Sequence, residues 1–137
     1  MFENFEIRVF KKDLIGQLSD PCKKSEAWDG SEIYESGEPP EVIVRFTQTE
    51  IQVYRCSFFW DGPHNLVKDP QLLGTVNWKL LGCPDARFSC LILIKNAQEQ
   101  RRNTFRKCRY CGGTFPPEHM ADDVCYSCEE IHLHVIH

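Results

Sequence analysis

Two short pairs of cysteines constrain this chain more than any other feature. Cys108-Arg109-Tyr110-Cys111 is answered, after thirteen residues, by Cys125-Tyr126-Ser127-Cys128. A two-residue spacer lets both sulfurs of a pair turn toward one point, and the loop between the pairs folds back to deliver the second. Zinc takes four tetrahedral ligands, with thiolate sulfur about 2.3 Å from the metal. The usual separation between pairs is about 15–20 residues. Thirteen falls slightly short, but loop-closure entropy changes slowly with length. Four unrelated thiols or two disulfides are the competing readings, and two matched pairs rarely arise by chance. The spacing predicts one zinc ion per chain, held by Cys108, Cys111, Cys125 and Cys128.

Four thiolates close the coordination sphere. They leave no position for a water or substrate, which marks the expected site as structural. His119, His132, His134 and His137 lie nearby as substitute ligands, and the ligand count favours surface or packed histidines instead. A redox CxxC is expected beside a βαβ pattern, and none is visible. Residues 108–113 read as a zinc knuckle, with Gly112 and Gly113 supplying positive φ. Residues 114–118 are expected to run extended, because a residue before proline is pushed out of the α region. Asp122 or Asp123 is a candidate cap for the next turn. Residues 125–133 read as a short helix whose N-terminal end carries the second ligand pair.

That arrangement resembles a treble clef. Cys111-Gly112, followed by proline and a later CxxC, is similar to the bacterial zinc fingers of the DksA/TraR type over about residues 108–130. The resemblance implies a metal site and says little about function. The alternative is a zinc ribbon in which Ile131, Leu133 and Val135 form a strand, since His132 and His134 alternate with them.

The 137 residues suit one medium domain or a small domain plus a finger. An apolar fraction of 42%, with 12% aromatic, is enough for a real core and argues against disorder. No run approaches the ~18 apolar residues of a membrane helix. Residues 1–6 lack the basic-then-apolar layout of a secretory signal. The expectation is a cytoplasmic protein with no membrane partner. Cys22, Cys56, Cys83 and Cys90 show no metal spacing and are expected to be buried free thiols.

The N-terminal part reads as β-rich. Residues 5–9 alternate apolar and charged, which predicts a half-buried strand. Residues 11–40 are turn-rich and acidic and are expected to be a long irregular connection, with a helical turn near 13–18 and Trp28 and Tyr34 pinning it to the core. Residues 41–47 predict a second strand and 50–59 a third, joined by a hairpin at Thr47–Glu50. Asp61-Gly62-Pro63 ends the third. Asp69-Pro70 has the form of a helix start, and Thr75–Trp78 reads as a strand or a connection. Trp78, Phe58, Phe59 and Trp60 are expected in the core or at its rim.

Residues 85–107 predict the long helix, with a buried strand at Leu91-Ile92-Leu93-Ile94 as the competing reading. Leu91, Ile94, Gln98, Arg101 and Phe105 recur at helical spacing, and strong helix formers run on to the end. The fold class that follows is α+β. A β-rich domain (1–107) ends in this helix, which feeds into a small C-terminal zinc finger with four cysteine ligands (108–137).

The formal net charge is −4. Four thiolates around one zinc bring it to about −6. An acidic chain has no general attraction for nucleic acid or anionic membrane. Yet Lys95, Arg101, Arg102, Arg106, Lys107 and Arg109 form a basic stripe beside the finger. Cations there complement a helix C-terminus and offset the charge of a zinc tetrathiolate; the competing reading is a phosphate-binding stripe, with Tyr110 and Tyr126 stacking on bases. No phosphate loop, GxSxG or HExxH is present. Glu118-His119 has no nucleophile or open metal position to work with. The expectation is therefore a non-enzymatic zinc-containing protein that binds another protein, a basic one by charge, as an inhibitor, immunity protein or adaptor. The alternative is a nucleic-acid-binding or transcription-regulatory protein that uses the finger and Arg101, Arg102, Arg106, Lys107 and Arg109.

Overall fold

A computed structural model describes residues 5–133. It shows an α+β fold in which one antiparallel sheet carries two helices on one face and a cysteine-rich unit follows the longer helix. The first element is a helix, α1 (Phe5–Gly16), and not the strand that the 5–9 alternation predicts. Phe10, Leu14 and Leu18 are buried at steps of four, so a helical stripe runs past the five-residue window in which the alternation is seen. Backbone bonds from Gln17 to Leu14 and from Leu18 to Ile15 carry the turn on to Leu18.

The region expected to be irregular holds two strands, β1 (Cys22–Glu26) and β2 (Glu32–Ser36). They continue through β3 (Val42–Phe46) and β4 (Glu50–Arg55) to β7 (Gln71–Asn77) in a five-stranded sheet of order β1-β2-β3-β4-β7. Tyr34, Val42, Val44, Phe46, Ile51, Val53 and Val76 lie on its core face. Tyr34 is pinned to the core as expected, but Trp28, at the β1–β2 turn, is 98% exposed and pins nothing. The hairpin at Thr47–Glu50 forms as predicted: the Thr47 hydroxyl accepts from the amides of Thr49 (3.3 Å) and Glu50 (2.9 Å).

The predicted third strand breaks at Cys56-Ser57. β5 (Phe58–Trp60) leaves the main sheet and pairs with β6 (Leu66–Lys68) in a separate hairpin around Asp61-Gly62-Pro63. Pro70 starts no helix; it precedes β7, which pairs with β4 across a bulge at Val53/Tyr54. Asn77 ends the strand and caps the short α2 (Trp78–Leu81), its side-chain oxygen accepting from the amides of Lys79 and Leu80 at 3.1 Å each. Trp78 is half-buried against the core.

The long helix, α3 (Cys83–Asn103), starts two residues before the predicted boundary and stops four residues short of it. Ala86, Cys90, Ile94, Ala97 and Arg101 form its buried stripe. It lies so close over the sheet that a Cβ at Gly74 would meet the Leu93 side chain at 2.9 Å. An ion pair between Arg87 and Asp13 ties α3 to α1, and Lys11 to Glu32 at 3.2 Å ties α1 to β2. Thr104 closes α3, its hydroxyl donating to the Arg101 carbonyl at 2.6 Å. The helix therefore does not run into Cys108; an extended segment intervenes. Among the described residues, no helix is long and apolar enough to cross a membrane.

Candidate metal centre

The chain after α3 forms two small hairpins and a helix. β8 (Arg106–Lys107) pairs with β9 (Thr114–Phe115), and the loop between them holds Cys108 and Cys111. This loop is closed by backbone bonds from Cys108 to the Gly113 carbonyl (2.8 Å) and from Gly112 to the Cys108 carbonyl (3.0 Å). The two glycines serve differently. Gly112 has φ +73°, a conformation side chains rarely adopt. Gly113 is needed for space, since a Cβ there would meet the Phe115 ring at 2.8 Å.

The second pair is delivered by β10 (Met120–Ala121), β11 (Val124–Cys125) and α4 (Tyr126–Leu133). Cys125 ends β11 and Cys128 sits in the first turn of α4. Asp122 and Asp123 turn the β10–β11 hairpin, Asp122 at φ 55°, and so do not cap the helix as expected. Ile131 and Leu133 belong to α4, so the predicted strand from 131 onward is replaced by helix to the end of the described residues; Val135 lies outside them. The Arg109 amide donates to the Asp123 carbonyl at 2.9 Å, which joins the two halves of the unit.

These elements bring the four cysteines together. Their sulfurs all lie within 4.8 Å of one another. Sulfurs bound tetrahedrally to one zinc stand roughly 3.8 Å apart, given a Zn–S distance near 2.3 Å. The Cys111 and Cys125 sulfurs are 3.9 Å apart, which fits. Met120, Val124 and Phe115 pack against Cys108, Cys125 and Cys128, while Cys111 stays exposed. The Cys125 amide donates to the Cys108 sulfur at 3.4 Å. Burial opposes ionisation of Cys108, but hydrogen bonds from the Cys111, Cys125 and Tyr110 amides outweigh it and hold this thiol down to about 6. Cys128 is pushed up to about 12 by burial and by the three sulfurs beside it. Four thiols this close cannot all ionise alone, because each thiolate opposes the next. A bound dication removes that conflict, so the cluster can hold a metal ion.

Of the nearby histidines, neither described one joins this group. His119 is exposed on the Pro117–His119 turn, and His132 stacks on Tyr110 with ring centroids 4.6 Å apart; His134 and His137 lie outside the described residues. Cys56 and Cys90 are buried, and burial pushes each thiol up to about 12; Cys22 is half-buried, and the side chain of Cys83 is outside the described ones.

The basic stripe separates into two sets. Arg101 is only 2% exposed, so it is not on the solvent-facing stripe at all. Its guanidinium forks onto Glu118, with Nη1 to Oε1 at 2.9 Å and Nη2 to Oε2, and its Nε donates to the Pro40 carbonyl at 3.0 Å. The rings of Phe58 and Phe105 lie 5.3 and 5.2 Å from it. Arg102 is exposed but forks onto Glu41. Lys95, Arg106, Lys107 and Arg109 are exposed, with Arg109 3.9 Å from Asp123. Tyr110 packs with His132 and Arg109, and Tyr126 with Trp60, so neither is an unengaged platform.

The Arg101–Glu118 pair is the feature that sequence reasoning missed. It fastens the loop between the cysteine pairs to the end of α3, and Trp60 reinforces it by donating to the Glu118 carbonyl at 3.0 Å. Nothing in the spacing of these two residues, seventeen apart, marks them as partners. Compared with protein-family models, curated proteins and solved structures, the chain matches none.

Proposed function

We propose that this is a non-enzymatic zinc protein whose partner is another protein. The observation that carries the reading is the convergence of Cys108, Cys111, Cys125 and Cys128 within 4.8 Å. Four soft thiolates in a compact group favour zinc over magnesium or calcium. They also fill its coordination sphere, so the ion serves the fold and performs no hydrolysis. The order of knuckle, hairpin and helix supports a treble-clef finger over a ribbon. Thiols kept free for a metal suit a reducing cytoplasm.

The protein-partner reading has separate support. Trp28, Leu80, Phe88 and Ile92 are exposed large apolar side chains on a chain of net charge −4. Apolar surface with excess acid suits a basic protein, as an inhibitor, immunity protein or adaptor would meet. The nucleic-acid reading has lost Arg101 to burial and two tyrosines to packing. It retains Arg102, Arg106, Lys107 and Arg109. The test has two parts. Elemental analysis of purified protein should give close to one zinc per chain, and replacement of any of the four cysteines by serine should lower it. Partners captured from native lysate should persist after nuclease treatment; partners lost with the nucleic acid would reverse the ranking.

A further inference from the structure

The four cysteines are not equally placed. Cys108, Cys125 and Cys128 are 1%, 3% and 6% exposed, whereas Cys111 is exposed to solvent. The cause is local. Cys111 is followed by Gly112 and Gly113, neither of which has a side chain to cover it, while Met120, Val124 and Phe115 cover the others. The Cys111 sulfur lies 3.9 Å from that of Cys125, which belongs to the other pair. Attack on an oxidant requires an accessible thiolate, and a durable product requires a second thiol in reach. Cys111 and Cys125 meet these two needs in one place.

We infer that Cys111 is a peroxide-modification site, with Cys125 as its resolving thiol, and that its oxidation ejects the metal. This rests on the metal reading above. The Cys111 thiolate attacks the outer oxygen of a hydroperoxide. The O–O bond breaks, a sulfenic acid forms on Cys111, and the departing alkoxide or hydroxide takes a proton from water. The Cys125 thiolate then attacks the Cys111 sulfur and expels hydroxide, which leaves a disulfide. Two electrons pass from the two sulfurs to the peroxide. Only Cys108 and Cys128 would then be left to hold the ion, and two thiolates would not close its shell, so it would be released. The new bond joins the β8–β9 loop to the end of β11.

The test uses the full-length, zinc-loaded protein with hydrogen peroxide as the probe. Zinc release is followed with a chromogenic chelator, and the first cross-link is mapped by peptide mass spectrometry under substoichiometric peroxide. The expected result is a Cys111–Cys125 disulfide that accumulates in step with released zinc, reversed by a thiol reductant. Cys111→His keeps a fourth ligand without the oxidisable sulfur, and should slow release by about tenfold or more. If that variant does not load zinc, the mapping on the native chain still decides. Any other first cross-link, or an unchanged release rate in a zinc-loaded Cys111→His protein, overturns the inference. Reduced protein that contains no zinc before peroxide is added would instead overturn the metal reading beneath it.

Discussion

Arg101 shows how far a residue's role can depart from its composition. In sequence it is one cation among six near the finger; in the fold its side chain is 3% exposed and neutralised by Glu118, also 3% exposed. Burying two charges is costly, and the bidentate fork, the Pro40 carbonyl and the two flanking rings offset that cost. Removing one partner leaves the other charge buried alone. Glu118→Gln should therefore destabilise the metal-loaded protein by about 3–5 kcal/mol. Urea denaturation measures this, and a loss below about 1 kcal/mol would mean that water reaches the pair. Glu32 offers a pH-dependent counterpart. Burial raises its pKa, but Lys11, Tyr34 and Lys24 outweigh burial and hold it below the ordinary 4.5. A depressed carboxyl contributes stability above its unfolded pKa and loses it as pH falls through the folded one. The stability gap between the native chain and Glu32→Gln should be full at neutral pH and shrink only below about pH 4.5. Denaturation curves from pH 7 to 3 check this, and a gap that widens toward acid would refute it. Metal loss in acid is common to both proteins and cancels in the difference.

Among the elements, legibility follows how much each depends on its own sequence. The four cysteines are readable because two CxxC pairs have the spacing that four ligands to one ion require. The long helix is readable because its stripe, from Ala86 to Arg101, runs for about four turns of the 21-residue element. α1 reads as a strand over residues 5–9 because these alternate, and only the longer view to Phe10, Leu14 and Leu18 reveals the four-residue step. β1 is invisible for a different reason. Cys22-Lys23-Lys24-Ser25-Glu26 has no apolar alternation, and its strand exists because β2 pairs with it along five residues. An edge strand rich in charge is what a sheet uses to avoid pairing with other chains. Asp69-Pro70 misleads because Pro also precedes strands, and here the Asp69 amide bonds the Ser57 carbonyl instead. The junction from β7 into the helices depends on one side chain. Asn77 accepts from both Lys79 and Leu80, so Asn77→Ala should destabilise the protein by about 1 kcal/mol while leaving zinc content unchanged. A shift of the thermal midpoint, with elemental analysis alongside, tests both halves; loss of metal in this variant would show coupling that the local geometry gives no reason to expect.

At the scale of the whole molecule, the charge distribution bears on which of the two proposed kinds of partner to test first. The acidic total opposes phosphate, and the structure removes Arg101 from the surface that would have to overcome that total. Arg102 is held by Glu41, and Arg109 stands near Asp123. Lys95 on α3 and the successive Arg106 and Lys107 on β8 remain exposed, which is too few cations for a continuous phosphate track. Nucleic-acid binding should accordingly be weak even at ~50 mM salt, where phosphate contacts are strongest. Replacing Arg106 and Lys107 with alanine should leave stability within about 0.5 kcal/mol, since neither is buried. It should also leave any residual binding nearly unchanged. If β8 is a phosphate site, binding will be tight at low salt and fall steeply as salt rises, and the double replacement will flatten that slope by about two contacts. Anisotropy titrations against mixed DNA and RNA at two salt concentrations separate the outcomes. Arg102→Ala sharpens the comparison, because it breaks the fork to Glu41: a role in structure predicts lost stability with unchanged binding, and a role in phosphate contact predicts lost binding. Tight, salt-sensitive binding abolished by Arg106→Ala/Lys107→Ala in a folded, zinc-loaded protein would make nucleic acid the partner.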